Sequence, residues 1–326
     1  MKKLFKLLLV LFLIVLACSL LSPGREETSG QSIIVEKGEN AREIAFKLRA
    51  KGIIRDPYFF LVLAFLENKW NKLQAGEYLL DSSMSNREII DILQEGKTLK
   101  ETLTIIEGWD AKDIAEYLES KEMFSRQEVM DKIDEFSPGR FEFLADKPKN
   151  LGLEGYIFPD TYFLEKNESL EKIITYALEN FDRKLTEDLR SEIEKRNKSV
   201  FEVVTMASMI EKEVITFKDR QIVSGILWKR FEAGVPLQVD ATVLYAMETN
   251  NGKVLTKDTK IDSPYNTYKY AGLPLGPICN PGLESIKAAI YPKATDYWYY
   301  LSKPDGETVF SKNLEEHNIA KAKYLK

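Results

Sequence analysis

Residues 38–48, GENAREIAFKL, and residues 108–118, GWDAKDIAEYL, lie 70 positions apart and match at the glycine, the cap, the alanine and the apolar positions. In each copy a glycine turn leads into Asn40 or Asp110, residue types whose side chains accept from the free N–H groups of a helix start. Glu43 stands three residues after Asn40, the spacing of a capping box. Ile44, Ala45 and Leu48 then recur at helical intervals. An apolar strand precedes each copy, Ile33–Val35 in the first, so the unit reads strand, turn, capped helix. Its recurrence predicts two related small modules before about residue 150; chance likeness between two such units is the competing reading.

Around the first copy, Asp56-Pro57 opens a second helix through Tyr58–Leu66, because proline suits the first helical position. A strand at Gly76–Leu80 and a helix from Ser85 to Leu93 follow. The chain changes character at LGLEGYIFPDTY (151–162). A helix is expected from Leu170 to Lys195 and another from Ser199. Near the end, Tyr297–Leu301, a Lys303-Pro-Asp-Gly306 turn and Thr308–Phe310 read as a hairpin. Helices in the first half and irregular β structure in the second make the fold class α+β.

The 326 residues are 44% hydrophobic and 30% charged, which fits a folded chain and not a long disordered one. Lys and Arg number 46 against 51 Asp and Glu, with no basic cluster along the folded part, so no nucleic acid is expected as a partner. One histidine, His317, is present, and every Ser-His-Asp, Cys-His or zinc arrangement would compete for it. No metal and no cofactor is expected. The cysteines are Cys18 and Cys279, and the first lies in an apolar run, so a disulfide between them is implausible.

That run is MKKLFKLLLVLFLIVLACSLL (1–21), in which Lys2, Lys3 and Lys6 precede an uncharged stretch. With Lys6 snorkelling it approaches the roughly 17-residue minimum for a span. Lysines on the N-terminal side place the N-terminus in the cytoplasm and the remainder outside the cytoplasmic membrane. A cleaved secretory signal and a lipidated Cys18, after a loose lipobox at Val15–Ala17, are the rival readings. Pro23–Gln31 is a linker by composition. The expected organisation is a transmembrane anchor over 1–24, a linker over 25–31, a small module over 32–98, a second strand–helix module over 99–150 and a larger α+β domain over 151–326.

Ser199 and Glu202 are spaced as a capping box, and the helix they open is SVFEVVTMASMIEKEV (199–214). At about 100° per residue, Val200, Val203, Val204, Ala207, Ile210 and Val214 share one sector, and Glu211 falls inside it. Glu202 and Glu213 fall on the opposite side. A carboxylate on a core-facing stripe is costly when charged and favours the protonated state of a general acid. The plain alternative is a Glu211 that reaches solvent at the helix end or pairs with a lysine. An ordinary glycosidase needs a second carboxylate, and Asp240, Asp160 and Asp262 all remain open.

LEGYIFPDTY (153–162), MASMIEKEV (206–214), GVPLQVDATVLYAM (234–247), SPYNTYKYAGLPLGPICNPGLESIKAAIYP (263–292) and VFSKNLEEHNIAKAKYL (309–325) together resemble the endolytic murein transglycosylases of the MltG (YceG-like) type. Residues 33–96 are similar to the LysM-like subdomain of such proteins. The resemblance implies a membrane-anchored enzyme that cuts peptidoglycan strands internally, between N-acetylmuramic acid and N-acetylglucosamine, leaving 1,6-anhydromuramoyl ends. It implies that the first Glu of the I-E-K-E segment, Glu211, is catalytic. Sugar positioning would fall to Gln238, Asp240, Thr242, Tyr265, Asn266, Thr267 and Tyr268, with Glu154 and Asp160 in a cleft wall. The implied partners are glycan strands, the cytoplasmic membrane and peptidoglycan synthases. Two other functions stay open: a non-catalytic peptidoglycan-binding anchor, and a hydrolase pairing Glu211 with Asp240 or Asp160.

Overall fold

The computed structural model describes residues 30–136, 139, 141–249 and 254–325. The expected anchor over 1–24, Cys18 and most of the linker lie outside these residues. Among the described residues no helix is long and apolar enough to cross a membrane. The fold is α+β, helices with small two-stranded sheets, and the chain divides into two compact units.

The first unit holds the described residues up to Thr102 together with Phe163–Asn167. Strand β1 (Gln31–Val35) pairs antiparallel with β2 (Gly76–Leu80), with Ile33 opposite Tyr78. Helices α1 (Ala41–Ala50), α2 (Pro57–Leu66) and α3 (Asn86–Glu95) accompany them. The local signals act as their chemistry dictates: Asn40 and Glu43 form a reciprocal capping box, and Asp56 caps the helix that Pro57 begins. Ile33, Ile44, Leu48, Phe60, Tyr78, Leu80, Ile89 and Leu93 make its core.

Strand β3 (Lys100–Thr104) pairs with β4 (Thr161–Glu165). The second unit comprises Leu103–Tyr162 and Glu168–Lys326. It begins with α4 (Ala111–Ser120) and α5 (Arg126–Glu135). The two copies of the repeat adopt one local structure. Gly38 and Gly108 both have positive φ, Asn40 and Asp110 both close capping boxes, and Ala41, Ile44, Ala45 and Leu48 are matched by buried Ala111, Ile114, Ala115 and Leu118.

The helix expected over Leu170–Lys195 is two helices, α6 (Leu170–Lys184) and α7 (Glu187–Lys195). The break has a physical cause: Leu185 turns into the core, 2% exposed, and Thr186 takes an extended ψ ahead of the acidic first turn Glu187-Asp188. Then come α8 (Val200–Glu213), α9 (Phe217–Glu232), α10 (Asp240–Ala246) and α11 (Leu283–Ile290). The expected hairpin is β5 (Tyr299–Ser302) against β6 (Thr308–Ser311), and α12 (Leu314–Tyr324) follows.

Helix α8 is the axis of this unit. Eight consecutive residues, Val203–Ile210, are buried, so the helix has no wet face along that length. Helices α9, α10 and α11 pack on it. The stripe inferred from periodicity is therefore only one part of a helix enclosed on all sides, a different case from an amphipathic surface helix. Residues at its C-terminal end can be buried whichever way they point.

Candidate active site

The two acidic residues at the end of α8 meet different surroundings. Glu211 forms a buried ion pair: Arg220 Nη2 of α9 donates to its Oε1 at 2.7 Å, and the two side chains are 5% and 8% exposed. The backbone N–H of Gly282, which caps α11, donates to Oε2 at 2.9 Å. Arg220 also reaches Glu284 at 3.2 Å and the carbonyl of Val214. Glu107 lies against Gly282 so closely that a Cβ there would come within 2.1 Å of its Oε1. Burial, then the negative charge of Glu211, hold the Glu107 carboxyl above its usual range. Glu211 thus has the burial inferred from the sequence, but its partner is an arginine nine residues on, and its oxygens are spent joining α8, α9 and α11.

Glu213, which the periodicity sets on the far side of α8, has a second carboxylate beside it. Burial, with the negative charge of Asp240 beside it, pushes its carboxyl up to about 7. Tyr300 of β5 and the backbone N–H of Ala241, at the start of α10, both hydrogen-bond to it. The negative Glu213 adds to burial in holding the Tyr300 phenol well above its ordinary value. Of the three open carboxylates, Asp240 is the one beside Glu213. Asp160 is instead bound by Asn180 at 2.9 Å, and Asp262 by Tyr270 at 2.6 Å and by Lys269.

The polar residues named from the sequence separate into three roles. Thr242, Asn266 and Thr267 are buried, at 0–1% exposure, and bond to the backbone or to one another. The hydroxyls of Thr242 and Thr267 lie 2.9 Å apart; Thr267 Oγ1 accepts from Val239 N–H at 3.0 Å, and Thr242 Oγ1 donates to the Val239 carbonyl at 2.7 Å. Asn266 Nδ2 donates to the carbonyls of Thr259 and Ile261. These three latch the segment before α10 to the Ser263–Tyr268 turn and have no face left for a ligand. The latch presents the second group. Tyr268 donates to Asp240 Oδ1, and Gln238, held at a left-handed φ of +58°, accepts from Arg230 Nη2 at 2.8 Å. Asp240 begins α10 without capping it; Val239 holds the cap position. The third role belongs to Tyr265, which faces away into a cavity shared with Tyr245 and Glu154.

Glu154 is a buried carboxyl pushed up to about 8, mainly by burial. It accepts from Ala111 N–H at 3.0 Å, Tyr245 Oη at 3.3 Å and Asn280 Nδ2 at 3.2 Å. Asn280, fully buried, also accepts from Ile157 N–H and donates to the Trp109 carbonyl, so it fixes three loops around the end of α8. Gly155 has φ +89°, and a Cβ on it would meet Pro277 at 2.6 Å and Val204 at 2.9 Å. Cys279 is buried in the same wall with its thiol on the Ser208 carbonyl. His317 stacks on Tyr299.

Sequence reasoning passed over Arg220, Arg230, Tyr300 and Glu107. It sets Glu213 on the side of the helix opposite the apolar stripe, and along Val203–Ile210 that helix is buried all round.

Relatives of known kind define the class. An endolytic murein transglycosylase of Bacillus subtilis (strain 168) is 36% identical over 320 residues, spanning 94% of this chain and 88% of the relative. One of Streptococcus pneumoniae (strain D39) is 30% identical over 319 residues, 89% of this chain, and this chain spans 58% of that longer relative. A YceG-like protein of Listeria monocytogenes, with a crystal structure at 2.6 Å, is 34% identical and superposes with a TM-score of 0.63, covering 90% of this chain and all of that one. Residues 33–323 match the YceG-like family, and the chain belongs to it.

Proposed function

We propose that the chain is a lytic transglycosylase of peptidoglycan, with Glu213 carrying the proton. The carrying observation is the pairing of Glu213 and Asp240: one carboxyl raised to about 7, beside a second acidic side chain held in place by Tyr268. Protonated Glu213 donates to the glycosidic oxygen as the C1–O bond breaks through an oxocarbenium-like state. Asp240 supplies negative charge beside the developing cation. Glu213, now a carboxylate, takes the proton of the muramoyl C6 hydroxyl, and that oxygen closes on C1 to give the 1,6-anhydro end. The internal nucleophile has a high effective concentration, so one acid/base group suffices. Glu211, bound by Arg220 and the Gly282 N–H, serves this reading as the clasp that fixes the end of α8.

The same pair supports a second reading, hydrolysis with Asp240 activating a water. Mass spectrometry of peptidoglycan fragments separates the two: anhydromuramoyl ends mark the first, and reducing ends with the added mass of water mark the second. Both readings require that Glu213→Gln slow cleavage by about 10²–10⁴. Cleavage that survives Glu213→Gln and is lost in folded Glu211→Gln returns the acid role to Glu211.

The proposal places the enzyme outside the cytoplasmic membrane, held by residues 1–24 as a single-pass anchor with a cytoplasmic N-terminus. Residues 32–98 are proposed as the LysM-like module, 99–150 as the second module and 151–326 as the catalytic domain. Glycan strands are the substrate, and glycan-polymerising synthases are proposed neighbours.

A further inference from the structure

Helix α2 of the first unit is apolar on both sides, and none of its ten residues is charged. Pro57, Phe60, Leu63 and Ala64 are buried in the core. Tyr58, Val62, Phe65 and Leu66 recur at helical spacing on the other side and meet solvent there, with Tyr58, Phe65 and Leu66 63%, 64% and 62% exposed. Trp70, half exposed, packs edge-on to Phe65 at 6.1 Å, and Phe46 of α1 packs edge-on to Tyr58 at 5.7 Å. A helix on the surface of a soluble domain turns polar residues outward, and a contiguous exposed apolar face marks an interaction site.

Between α2 and the start of α1 this face sinks into a groove of about 680 Å³, lined by Leu61, Val62, Phe65, Leu66, Trp70 and Leu73. The acceptors at its α1 edge are already engaged. Asn40 Oδ1 accepts from the N–H groups of Arg42 and Glu43, and Glu39 binds Lys47 and the Glu36 N–H. What the groove offers an occupant is chiefly hydrocarbon, which suits acyl chains better than a hydroxyl-rich sugar.

Charge and reach identify the occupant. Residues 42–72 carry seven Lys and Arg against three Asp and Glu, a net +4 in a chain of net −5. Arg42 lines the groove, Lys72 stands between its lining residues Asn71 and Leu73, and Arg55 precedes α2 by two residues. Gln31, where β1 begins, is ten residues past Leu21, the last of the apolar N-terminal run, and ten residues span at most about 35 Å. Strand β1 adds about 17 Å before the Glu39–Arg42 edge of the groove. We infer that the outer face of α2, with Phe46 and Trp70, seats in the interface of an anionic phospholipid bilayer. Its rings and aliphatic side chains enter the upper acyl region, and Arg42, Arg55 and Lys72 reach the headgroup phosphates. The inference rests on the reading of residues 1–24 as the anchor, and it gives the first unit a second, reversible hold on the same membrane.

The test reconstitutes the full-length chain into vesicles of equal parts phosphatidylglycerol and phosphatidylcholine, the latter with plain or brominated acyl chains. Flotation reports the anchor, and quenching of tryptophan emission by the brominated chains reports contact with the acyl region. The chain has four tryptophans, so the Trp70 component is the difference between the parent and Trp70→Phe. The expected result is flotation of both proteins and a loss of emission in brominated vesicles that is larger for the parent. The double substitution Phe65→Glu, Leu66→Glu alters exposed side chains only, so it should keep flotation and melting temperature and abolish the Trp70 quenching. A parent that floats with no Trp70 quenching overturns the docking and leaves the anchor standing. Trp70 emission that ignores the brominated lipid but shifts on adding a pentamer of β-1,4-linked N-acetylglucosamine overturns it too and gives the groove to glycan. A parent that stays in the aqueous phase overturns anchor and docking together. Quenching unchanged by the double substitution shows that Trp70 meets lipid without this face, which also overturns the inference.

Discussion

Arg220 and Glu211 face each other at 2.7 Å with their side chains almost wholly withdrawn from water, and Glu213, two residues on, has an aspartate beside it and no arginine ion pair among the described residues. A residue that must give up and recover a proton is served by the second setting. The two positions should separate cleanly on substitution. Glu213→Gln keeps the shape of the site and removes the proton, so kcat should fall by about 10²–10⁴ with the fold intact. Glu211→Gln leaves the buried guanidinium only the exposed Glu284 as a charge partner, a partial loss that costs up to about 3–5 kcal/mol. Its melting temperature should drop sharply, while activity per folded molecule stays within about tenfold of the parent. Calorimetry beside a fragment assay reads both.

The raised Glu213 carboxyl also sets the pH response. Its ordinary value of 4.5 rises to about 7 in the fold, so the folded state favours the protonated form. The stability this lends is complete below pH 4.5, declines as pH rises, and is gone above 7, a loss on the order of 3 kcal/mol. Glu213→Gln should flatten that part of the stability–pH curve. Activity should fall about tenfold per pH unit above 7, where the acid has lost its proton. Asp240→Asn removes the neighbouring negative charge and should move that limb to lower pH. An unmoved limb would separate Asp240 from the titration of Glu213.

The parts of this design that could be read from residues alone are those whose cause is local. Asn40 with Glu43, Asp56 with Pro57 and Ser199 with Glu202 each act across three residues or fewer, and each does what its chemistry requires. The α+β class follows from the same kind of signal. The break at Leu185 was also local, marked by Thr186 and two acidic residues, but a continuous apolar periodicity masked it. The site depends on distance instead. Asp240 is positioned for Glu213 by the bond between Thr242 and Thr267, 25 residues apart, and Glu211 meets Arg220 because α9 turns back along α8. No periodicity encodes either meeting. Of the polar residues gathered from the sequence, Thr242, Asn266 and Thr267 form the scaffold beneath Asp240 and Tyr268, and Tyr265 faces a separate cavity.

The loop that carries Glu154 depends on a glycine with no substitute. At φ +89° an alanine at position 155 meets backbone strain of about 1–2 kcal/mol. Its Cβ would also press on Pro277 at 2.6 Å and Val204 at 2.9 Å, an overpacking that costs about 1–3 kcal/mol more. Gly155→Ala should therefore lose about 2–5 kcal/mol in urea unfolding.

Cys279 offers a check on how tightly the same wall is closed. Its thiol is buried, donates to the Ser208 carbonyl at 3.3 Å, and is pushed well above its ordinary value by burial, so the nucleophilic thiolate is scarce. Alkylation of the peptide containing Cys279, followed by mass spectrometry, should proceed in native protein no faster than the wall opens and should become rapid in denaturant. Adding Asn280→Ala removes the amide that ties Trp109, Glu154 and Ile157 to this segment and leaves their buried groups short of partners. That variant should label faster under native conditions. Equal labelling of the two proteins would mean that Asn280 does not hold the wall shut.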